Sequence, residues 1–310
     1  MRKPMKCYHF IKPMTQSDTV SVLYTPDGDY WAHTYISIWS LLDNNRDNQL
    51  DIYIMSEKMD REFSEHLDTL YKNFDDFEVT FIEVDNISDF PTPKHFSQAT
   101  YYRLLIDEYI DTENDRLLYI DGDTIILEDI YSLAEIDLCG KTIAGVPHVR
   151  RRGYEFGLPI DSEYINTGVM VIDLSQWSKY NIGDKCENYI RKNSEDLELP
   201  IQETINKVAY NDILLIEPRY NLTYDWRLEY KLSGKECNAK IVHFTTGRKP
   251  WKYSQYPEYK EEYYNYVKRT PYSEQVMEDA KLSKFPIRLF RKSSYSDDFK
   301  IYVGYLRNIL

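Results

Sequence analysis

Short apolar segments alternate with segments of helical periodicity through most of the chain, and this alternation constrains the fold more than any other feature of the sequence. Strands are predicted at residues 20–24, 50–55, 79–84 and 117–120, and helices at residues 35–42, 60–74 and 101–110. Strands separated by helices of this length predict parallel β-α-β units. We therefore expect an α/β chain whose sheet is covered by helices on both faces.

Two carboxylates, Asp121 and Asp123, directly follow the strand predicted at residues 117–120, with Gly122 between them. In sheets of this kind, ligands bind beyond the carboxyl ends of the strands. Two close carboxylates repel each other unless a cation lies between them, and a hard divalent cation prefers oxygen ligands. Gly122 would let the backbone approach a ligand closely. The segment is therefore a candidate metal site, with a turn of solvated acids as the alternative.

Two further segments carry residues that suit ligand binding. His243 ends another short apolar segment, and a neutral imidazole can complete a metal site begun by carboxylates. Lys249 lies in the loop that follows, where it could neutralise a phosphate. Asn166 and Gly168 precede another apolar segment, which is predicted to be a strand. The alternatives are a satisfied core histidine for the first segment and a tight turn before an edge strand for the second.

Composition and charge exclude several classes of protein. The 42% of hydrophobic and 29% of charged residues exclude disordered and fibrous chains. The longest apolar stretch, residues 35–42, is far shorter than the about 20 residues of a membrane span. A net charge of −13 argues against a general nucleic-acid-binding protein.

The cysteines and the start of the chain indicate a reducing compartment. The charged first residues have no apolar core behind them, so we expect no secretory signal and a cytoplasmic location. Four cysteines lie far apart, which favours buried or partly buried thiols over disulfides or a zinc site. They are Cys7, Cys139, Cys186 and Cys237.

The end of the chain differs from the rest in charge. Residues 281–310 carry seven bases and two acids, a net charge of +5, so the preceding residues carry −18. These bases alternate with aromatic and aliphatic residues, a pattern that can bind the surface of an anionic membrane. The alternative is that the same apolar residues cap the α/β domain. We expect one domain at residues 1–268 and a basic helical appendix at residues 269–310.

Five segments, in this order, resemble the motifs of glycosyltransferase family 8, the retaining sugar-nucleotide transferases that include bacterial lipooligosaccharide galactosyltransferases and glycogenin. They are Tyr24-Thr-Pro-Asp27-Gly-Asp29-Tyr30, Ser97-Gln-Ala-Thr-Tyr-Tyr-Arg103-Leu-Leu, Leu118-Tyr-Ile-Asp121-Gly-Asp123, Tyr164-Ile-Asn166-Thr-Gly168-Val and His243-Phe-Thr-Thr-Gly-Arg-Lys249-Pro-Trp251. The resemblance covers about residues 19–251. It implies a Rossmann-like nucleotide-diphospho-sugar transferase fold of the GT-A type, with a mixed, mostly parallel sheet and residues 1–268 as the catalytic domain.

The resemblance implies a role for each matching residue. Asp121, Asp123 and His243 would bind a Mn²⁺ or Mg²⁺ ion that bridges the donor diphosphate, which Lys249 would also bind. The remaining donor contacts would come from Asp27, Asp29, Tyr30, Arg103, Gly122, Asn166, Gln202 and Gly247. Among these, Asp27 and Asp29 would contact uracil and ribose, and Tyr30 would pack on the base. Arg103 would contact the donor sugar and the carboxylates, and Asn166 would contact sugar hydroxyls.

Two positions depart from the family pattern. The family carries an Asp-Gln pair on a loop before a helix, where this chain has Ile201 and Gln202, followed by Glu203 and Asn206 at their usual places. The missing aspartate normally contacts the donor sugar, so it leaves the identity of that sugar open. His148 stands where relatives often hold an acid near the acceptor, and a loop histidine without a role is the alternative.

The resemblance implies a UDP-sugar-dependent, retaining hexosyltransferase, with UDP-glucose or UDP-galactose as donor and a saccharide or glycolipid acceptor, such as lipooligosaccharide or capsule. Gln202 and Arg103 are the expected catalytic residues, Gln202 as a charge-stabilising dipole in a same-face reaction. The alternatives are a sugar-nucleotide-binding protein that has lost catalysis and a phosphatase of the haloacid-dehalogenase type. The phosphatase pattern needs Thr or Val where this chain has Ile125. Asn221-Leu-Thr is interpreted as a chance match to a glycosylation sequon.

Overall fold

A computed structural model describes residues 19–84, 98–150, 153–245, 247, 249–252 and 258–282. Its strands are β1 (Val20–Tyr24), β2 (Leu50–Ser56), β3 (Phe77–Glu83), β4 (Arg116–Ile120), β5 (Thr124–Ile126), β6 (Ile143–Pro147), β7 (Ile165–Asp173), β8 (Ile213–Leu215) and β9 (Ile241–His243). Its helices are α1 (Tyr30–Asn44), α2 (Arg61–Asn73), α3 (Ala99–Tyr102), α4 (Ile106–Tyr109), α5 (Tyr131–Ala134), α6 (Leu174–Lys179), α7 (Ile182–Asn193), α8 (Pro200–Ala209), α9 (Tyr224–Ser233), α10 (Lys260–Val267) and α11 (Ser273–Leu282). Short 3₁₀ helices lie at Gly153–Phe156 and Pro218–Tyr220.

Seven of the described strands form one sheet in the order β3-β2-β1-β4-β7-β6-β8. The pairs β3–β2, β2–β1, β1–β4 and β6–β8 are parallel. Strand β7 is antiparallel to both β4 and β6. The predicted α/β class with a mixed, mostly parallel sheet is confirmed. A separate antiparallel pair joins β5 to β9.

The reversed direction of β7 determines which loops meet. Because β7 is antiparallel to its neighbours, its first residues lie at the same edge of the sheet as the ends of β4 and β6: Ile120 is opposite Val169, and Pro147 is opposite Ile165. The end of β1 lies at this edge too, since β1 is parallel to β4. The β6–β7 register shifts between Gly145 and Val146, an irregularity of the kind that often adjoins active sites.

Helix α1 is buried along most of its length and lies against β5. The chain enters it through a turn in which Gly28 has φ +43° and the Tyr30 N–H donates to the Asp27 carbonyl (2.8 Å). The predicted apolar face of this helix is buried, and residues on its other side are buried as well. The Ser37 hydroxyl is satisfied there by the Thr124 hydroxyl (2.8 Å), which ties the helix to the chain that follows Asp123.

The prediction of a continuous helix at residues 101–110 is wrong. The chain forms two one-turn helices, α3 and α4, because the N–H groups of Leu104 and Leu105 bond to carbonyls three residues back instead of four. Because of this tight turn, five of the six residues from Tyr101 to Ile106, all but Arg103, belong to one hydrophobic core cluster. It also places Arg103 between the two helices, with its guanidinium buried.

The first turn of α8 carries Gln202, which therefore lies in a helix and not on a loop. Pro200 is the first residue of this helix, and the Glu203 carboxylate accepts a hydrogen bond from the Leu199 N–H (2.9 Å). Asn206 is fully buried and bonds to both backbone groups of Ile165, accepting from its N–H (2.7 Å) and donating to its carbonyl (2.9 Å). These two bonds attach α8 to the first residue of β7.

The chain divides into two compact units, with the boundary directly after Thr245. In the second unit, Trp251 packs on Tyr263 of α10, and Tyr264 donates to the Pro250 carbonyl (3.2 Å). The predicted appendix at residues 269–310 lies mostly outside the described residues, so the domain boundary expected at 268 stays a prediction. No helix in the described ranges is both long and apolar enough to cross a membrane.

The described cysteines are free thiols. Cys186 is buried and Cys237 is half-buried, as expected, but Cys139 is exposed because it lies in a turn with φ +53°. Cys7 lies outside the described residues.

Candidate active site

Asp121, Asp123 and His243 form a cluster at the sheet edge described above. One ligand atom from each lies within 4.8 Å of the others. His243 Nε2 is 3.2 Å from Asp123 Oδ1 and 3.6 Å from Asp121 Oδ2. Two neighbouring ligands of an octahedral ion, each about 2.1 Å from it, are about 3 Å apart, so these separations suit a divalent cation.

Strand pairing brings His243 to the two aspartates. In the β5–β9 pair, His243 lies opposite Thr124, the residue after Asp123. The Phe244 N–H donates to the Asp123 carbonyl (2.9 Å), which continues the pairing by one residue. His243 is only 3% exposed, so its ring is held by its surroundings. The structure thus brings His243, which is far away in the sequence, to Asp121 and Asp123, so the three predicted metal ligands lie together.

The two oxygens of Asp121 have different partners. Oδ1 accepts hydrogen bonds from the Tyr119 hydroxyl (2.6 Å) and from Arg103 Nη2 (2.9 Å). Arg103 also stacks on the Tyr119 ring at 4.1 Å and donates to the Thr167 carbonyl (3.2 Å). Oδ2 faces His243. The carboxylate is therefore fixed through one oxygen and presents the other to the cluster.

The protonation states of Tyr119 and Arg103 maintain their hydrogen bonds to Asp121. Burial raises the pKa of Tyr119 well above its ordinary value, so its hydroxyl stays neutral and donates to Asp121. Burial by itself would lower the pKa of Arg103, but the charge and hydrogen bond of the neighbouring Asp121 carboxylate oppose this effect, and the pKa is raised. Arg103 therefore remains a buried cation that balances one of the two carboxylates.

Two glycines let neighbouring groups approach this cluster. A Cβ at Gly168 would lie 2.1 Å from His243 Cε1 and 2.6 Å from Asp121 Oδ2, so a side chain there would displace both. A Cβ at Gly122 would lie 2.1 Å from Thr34 Oγ1 of α1. Packing against Thr34 therefore also favours glycine at position 122. The predicted close approach of a ligand to Gly122 stays a prediction.

A series of side-chain amides leads from β7 to α8. Asn166 Oδ1 accepts from the Gly168 N–H (3.0 Å), and Asn166 Nδ2 donates to Gln202 Oε1 (3.1 Å). Gln202 Nε2 in turn donates to the Tyr164 hydroxyl (3.4 Å). Asn166 and Gln202 are therefore neighbours, and their predicted contacts to the donor sugar stay predictions. Asn166 is part of β7 and does not precede the strand as expected, and β7 is a central strand.

The predicted nucleoside contacts follow β1 and so lie beside the loop after β4. Thr25 Oγ1 is 3.0 Å from the Tyr119 hydroxyl, which links the loop after β1 to the end of β4. Asp27 and Tyr30 are half-buried and Asp29 is exposed at the start of α1. The Tyr30 ring meets His33 edge-on, with 6.1 Å between the ring centroids. These side chains are accessible enough to bind a ligand, and their roles stay predictions.

Gly247 and Lys249 belong to the second compact unit. Gly247 is exposed, and Lys249 is buried with its Nζ 5.8 Å from the Trp251 ring. Their predicted contacts to the donor stay predictions. Ser97, Thr246 and Arg248 of the quoted motifs lie outside the described residues.

Two predicted specificity positions have different surroundings. Ile201 is 6% exposed and belongs to the same hydrophobic cluster as Ile205 and Ala209 of α8. His148 is half-buried in the loop after β6, with its N–H bonded to the Tyr164 carbonyl (2.6 Å). His148 therefore lies at the site edge, whereas Ile201 contributes to the core.

Three residues at the site were not identified from the sequence: Tyr119, Gly168 as a packing position, and Asn221. A signal existed for Tyr119, because side chains two apart on a strand share a face and Tyr119 precedes Asp121 by two. For Asn221, whose Oδ1 is 2.9 Å from His243 Nδ1, the sequence offered no signal.

Comparison with known proteins gives the same family from sequence and a related fold from structure. The family described as "Glycosyl transferase family 8" matches residues 21–255. General stress protein A of Bacillus subtilis (strain 168) is 28% identical over 278 residues, covering 84% of this chain and 97% of that protein. The lipopolysaccharide 1,2-glucosyltransferase of Escherichia coli (strain K12) is 26% identical over 281 residues, covering 86% of this chain and 82% of that protein.

A similar solved structure is that of the galactosyltransferase LgtC in complex with donor and acceptor sugar analogs. The TM-score is 0.73 at 17% identity, covering 81% of this chain and 96% of that one. At this identity the likeness concerns the fold, and it confirms the expected GT-A type.

We predict that Gly168→Ala weakens Mn²⁺ binding more than tenfold while the chain stays folded. The added methyl group overlaps His243 and Asp121, and overpacking of this kind costs about 1–3 kcal/mol of stability. Isothermal titration calorimetry with Mn²⁺ measures the affinity, and circular dichroism monitors folding. Gly140→Ala is the control for lost stability: its φ of +75° strains an alanine, but its Cβ meets nothing within 4 Å, so the Mn²⁺ affinity should not change. Unchanged Mn²⁺ affinity in Gly168→Ala would contradict this account of the site.

Proposed function

The chain belongs to glycosyl transferase family 8, and from this premise we propose that it transfers a hexose from a UDP-sugar to a saccharide or glycoconjugate acceptor, with retention at the anomeric carbon and with Mn²⁺ or Mg²⁺ as cofactor. The observation that carries the proposal is the cluster of Asp121, Asp123 and His243 at the sheet edge. UDP-glucose and UDP-galactose are the proposed donors.

The cluster has the chemistry of a divalent-cation site. It offers two carboxylate oxygens and one imidazole nitrogen, and Gly168 leaves the room that these groups occupy. Such a ligand set suits Mn²⁺ and Mg²⁺. Asp121 would bind through Oδ2, Asp123 through Oδ1 and His243 through Nε2. When bound, the ion supplies positive charge that stabilises the departing diphosphate.

The surrounding residues keep the ligands in place. Arg103 and Tyr119 hold Asp121 through Oδ1, so Oδ2 stays available. Asp27 and Asp29 lie in the adjacent loop and Tyr30 begins α1, and we propose that these three residues bind the uridine part of the donor. Gly122 is proposed to lie against the donor, and Gly247 and Lys249 to bind its diphosphate.

For the transfer itself we propose a same-face reaction. The bond between the anomeric carbon and the phosphate oxygen breaks, and its electron pair leaves with UDP. The acceptor hydroxyl forms the new bond on the same face and passes its proton to the departing phosphate oxygen. An amide is a poor nucleophile, so Gln202 is assigned the role of a dipole that stabilises positive charge on the sugar. Asn166, which donates to Gln202 Oε1, orients that dipole.

The acceptor is proposed by analogy with the relatives. One of them carries the name lipopolysaccharide 1,2-glucosyltransferase, and another lipopolysaccharide 1,3-galactosyltransferase. A saccharide on a lipid or a polymer is therefore the proposed acceptor class. The second candidate function is sugar-nucleotide binding without catalysis, which the apolar Ile201 favours.

We predict that Asp121→Asn and Asp123→Asn each lower metal-dependent UDP release about a thousandfold, a loss of about 4 kcal/mol in transition-state stabilisation. Both residues follow a strand, so the fold should persist. The measurement is UDP release from UDP-glucose and UDP-galactose at saturating Mn²⁺. Asp75→Asn, an exposed carboxylate before β3 at the opposite edge of the sheet, is the matched control. Near-normal release by Asp121→Asn would contradict the assignment, and absence of release in the unchanged protein would favour the binding protein.

The identity of the donor sugar is tested at Ile201. If a carboxylate here reaches the sugar, Ile201→Asp should change the ratio of rates among UDP-glucose, UDP-galactose and UDP-N-acetylglucosamine. The same change buries a charge in the core, so we expect a lower melting temperature as well. Ile201→Val is the packing control. Unchanged relative rates in folded Ile201→Asp would show that this position does not read the sugar.

We also propose that the basic tail, residues 281–310, binds an anionic membrane on the cytoplasmic side. All but the first two of its residues lie outside the described part of the chain. Each base near such a surface contributes about 1 kcal/mol, which salt removes. Chain lacking residues 281–310 should stay folded and release UDP, but should no longer sediment with anionic vesicles at low salt. A full-length chain that never binds vesicles, or a truncated chain that aggregates, would contradict the proposal.

A further inference from the structure

We infer that Asn221 is a positioning residue that fixes the tautomer of His243, so that the lone pair of Nε2 faces the carboxylates of Asp121 and Asp123. The inference rests on the proposed metal site. It concerns a side chain that touches neither the carboxylates nor the place between them. Asn221 follows the 3₁₀ helix Pro218–Tyr220 and is 0% exposed.

Both ends of the Asn221 amide have partners. Oδ1 is 2.9 Å from His243 Nδ1, and Nδ2 is 2.9 Å from Asn166 Oδ1. A fully buried amide is inaccessible to a glycosylating enzyme in the folded chain, in agreement with the interpretation of Asn221-Leu-Thr as a chance sequon. The Asn221 amide instead joins His243 of the proposed metal site to the Asn166–Gln202 pair.

The direction of the hydrogen bonds is set by one backbone group. The Gly168 N–H can only donate, and it lies 3.0 Å from one end of the Asn166 amide, which must therefore be the oxygen. The Asn221 atom that contacts this oxygen must then be the NH₂ group. The opposite end of Asn221, facing His243, is consequently its carbonyl oxygen. Reversing either amide would bring two donors or two acceptors into contact.

The tautomer of His243 follows from this direction. A carbonyl oxygen accepts hydrogen bonds only, so Nδ1 must carry the proton that it receives. In a neutral imidazole the other nitrogen, Nε2, then carries the lone pair. Nε2 is the atom that lies 3.2 Å from Asp123 Oδ1 and 3.6 Å from Asp121 Oδ2.

Without Asn221, the opposite tautomer would be favoured. A proton on Nε2 could be donated to Asp123 Oδ1 at 3.2 Å, a charge-assisted hydrogen bond that would occupy the place of the cation. Asn221 prevents this by holding the proton on the far side of the ring. Partners of this kind orient metal-binding histidines and raise their basicity.

The same bonds couple the cluster to the proposed catalytic amide. Asn166 Oδ1 accepts from both Gly168 and Asn221, and this orients its Nδ2 towards Gln202 Oε1. One backbone N–H therefore sets both the tautomer of His243 and the orientation of Gln202.

The test uses the full chain and reads the tautomer directly. Long-range nitrogen–proton correlation spectra of ¹⁵N-histidine-labelled protein, metal-free and at alkaline pH, report which ring nitrogen carries the proton. The chain has 6 histidines, and a His243→Gln variant assigns the signal. We expect Nδ1–H in the unchanged protein and a population of Nε2–H in Asn221→Ala. Nε2–H in the unchanged protein, or an unchanged tautomer in Asn221→Ala, would overturn the inference.

Metal affinity is the second readout. Calorimetry with Mn²⁺ and no sugar nucleotide should show a loss of about 10–100-fold in Asn221→Ala. Asn221→Asp, which keeps an acceptor for Nδ1–H, should retain more of the affinity and serves if Asn221→Ala does not fold. Asn45→Ala is the matched control, because Asn45 is a buried amide bonded to Leu41 and Ile130 away from the cluster. Unchanged Mn²⁺ affinity in both Asn221 variants would overturn the inference.

The two proposals fail separately. If the unchanged protein binds no Mn²⁺ and releases no UDP, the proposed function fails, whereas the tautomer of metal-free His243 still tests the role of Asn221. If Mn²⁺ binds and UDP is released but the Asn221 variants behave as the unchanged protein does, the role of Asn221 alone is wrong.

Discussion

The repulsion between Asp121 and Asp123 is the constraint on which the rest of the site depends. Both carboxylates emerge from the loop after β4, and one ligand oxygen from each lies in the same small cluster as His243 Nε2. Arg103 balances one charge by binding Asp121 Oδ1, but it lies on the side away from His243 and leaves Oδ2 exposed to the cluster. The remaining negative charge is what a divalent cation would neutralise. Arg103 and Tyr119 therefore hold Asp121 through Oδ1, and Gly168 leaves room for Oδ2 beside His243, where a cation would bind.

Hydrogen-bond direction extends this order from the cluster into the sheet. Asn221, Asn166 and Gln202 have side-chain amides that donate at one end and accept at the other. Without a fixed donor or acceptor at one end, a chain of hydrogen bonds between such amides could run in either direction. The Gly168 N–H removes this ambiguity. A buried network of this kind costs free energy when some of its polar groups lack a partner, and it fixes one arrangement of the side chains when all are paired. Its completeness here suits a site in which the His243 lone pair would face a cation while the Gln202 amide would face the donor sugar.

Much of the fold followed from local pattern. The first strand and its turn, the strand before Asp121 and the short strand that ends at His243 are apolar segments followed by polar residues, and such segments are visible in a sequence. The pairing of His243 with Thr124 joins residues far apart in the chain, so only the family resemblance suggested that they meet. The break at Arg103 depends on a tight turn packed into the core, which helical periodicity does not reveal. The burial of Ile201 and the roles of Asn206 and Asn221 depend on contacts between distant elements, which one sequence does not contain.

Anomalous diffraction from crystals grown with Mn²⁺ and UDP tests directly whether Asp121, Asp123 and His243 bind a divalent cation. We expect a single strong manganese peak about 2.0–2.3 Å from Asp121 Oδ2, Asp123 Oδ1 and His243 Nε2, with the diphosphate on its open side. A manganese peak elsewhere, or UDP bound at the sheet edge with no ion at these three atoms, would contradict this expectation.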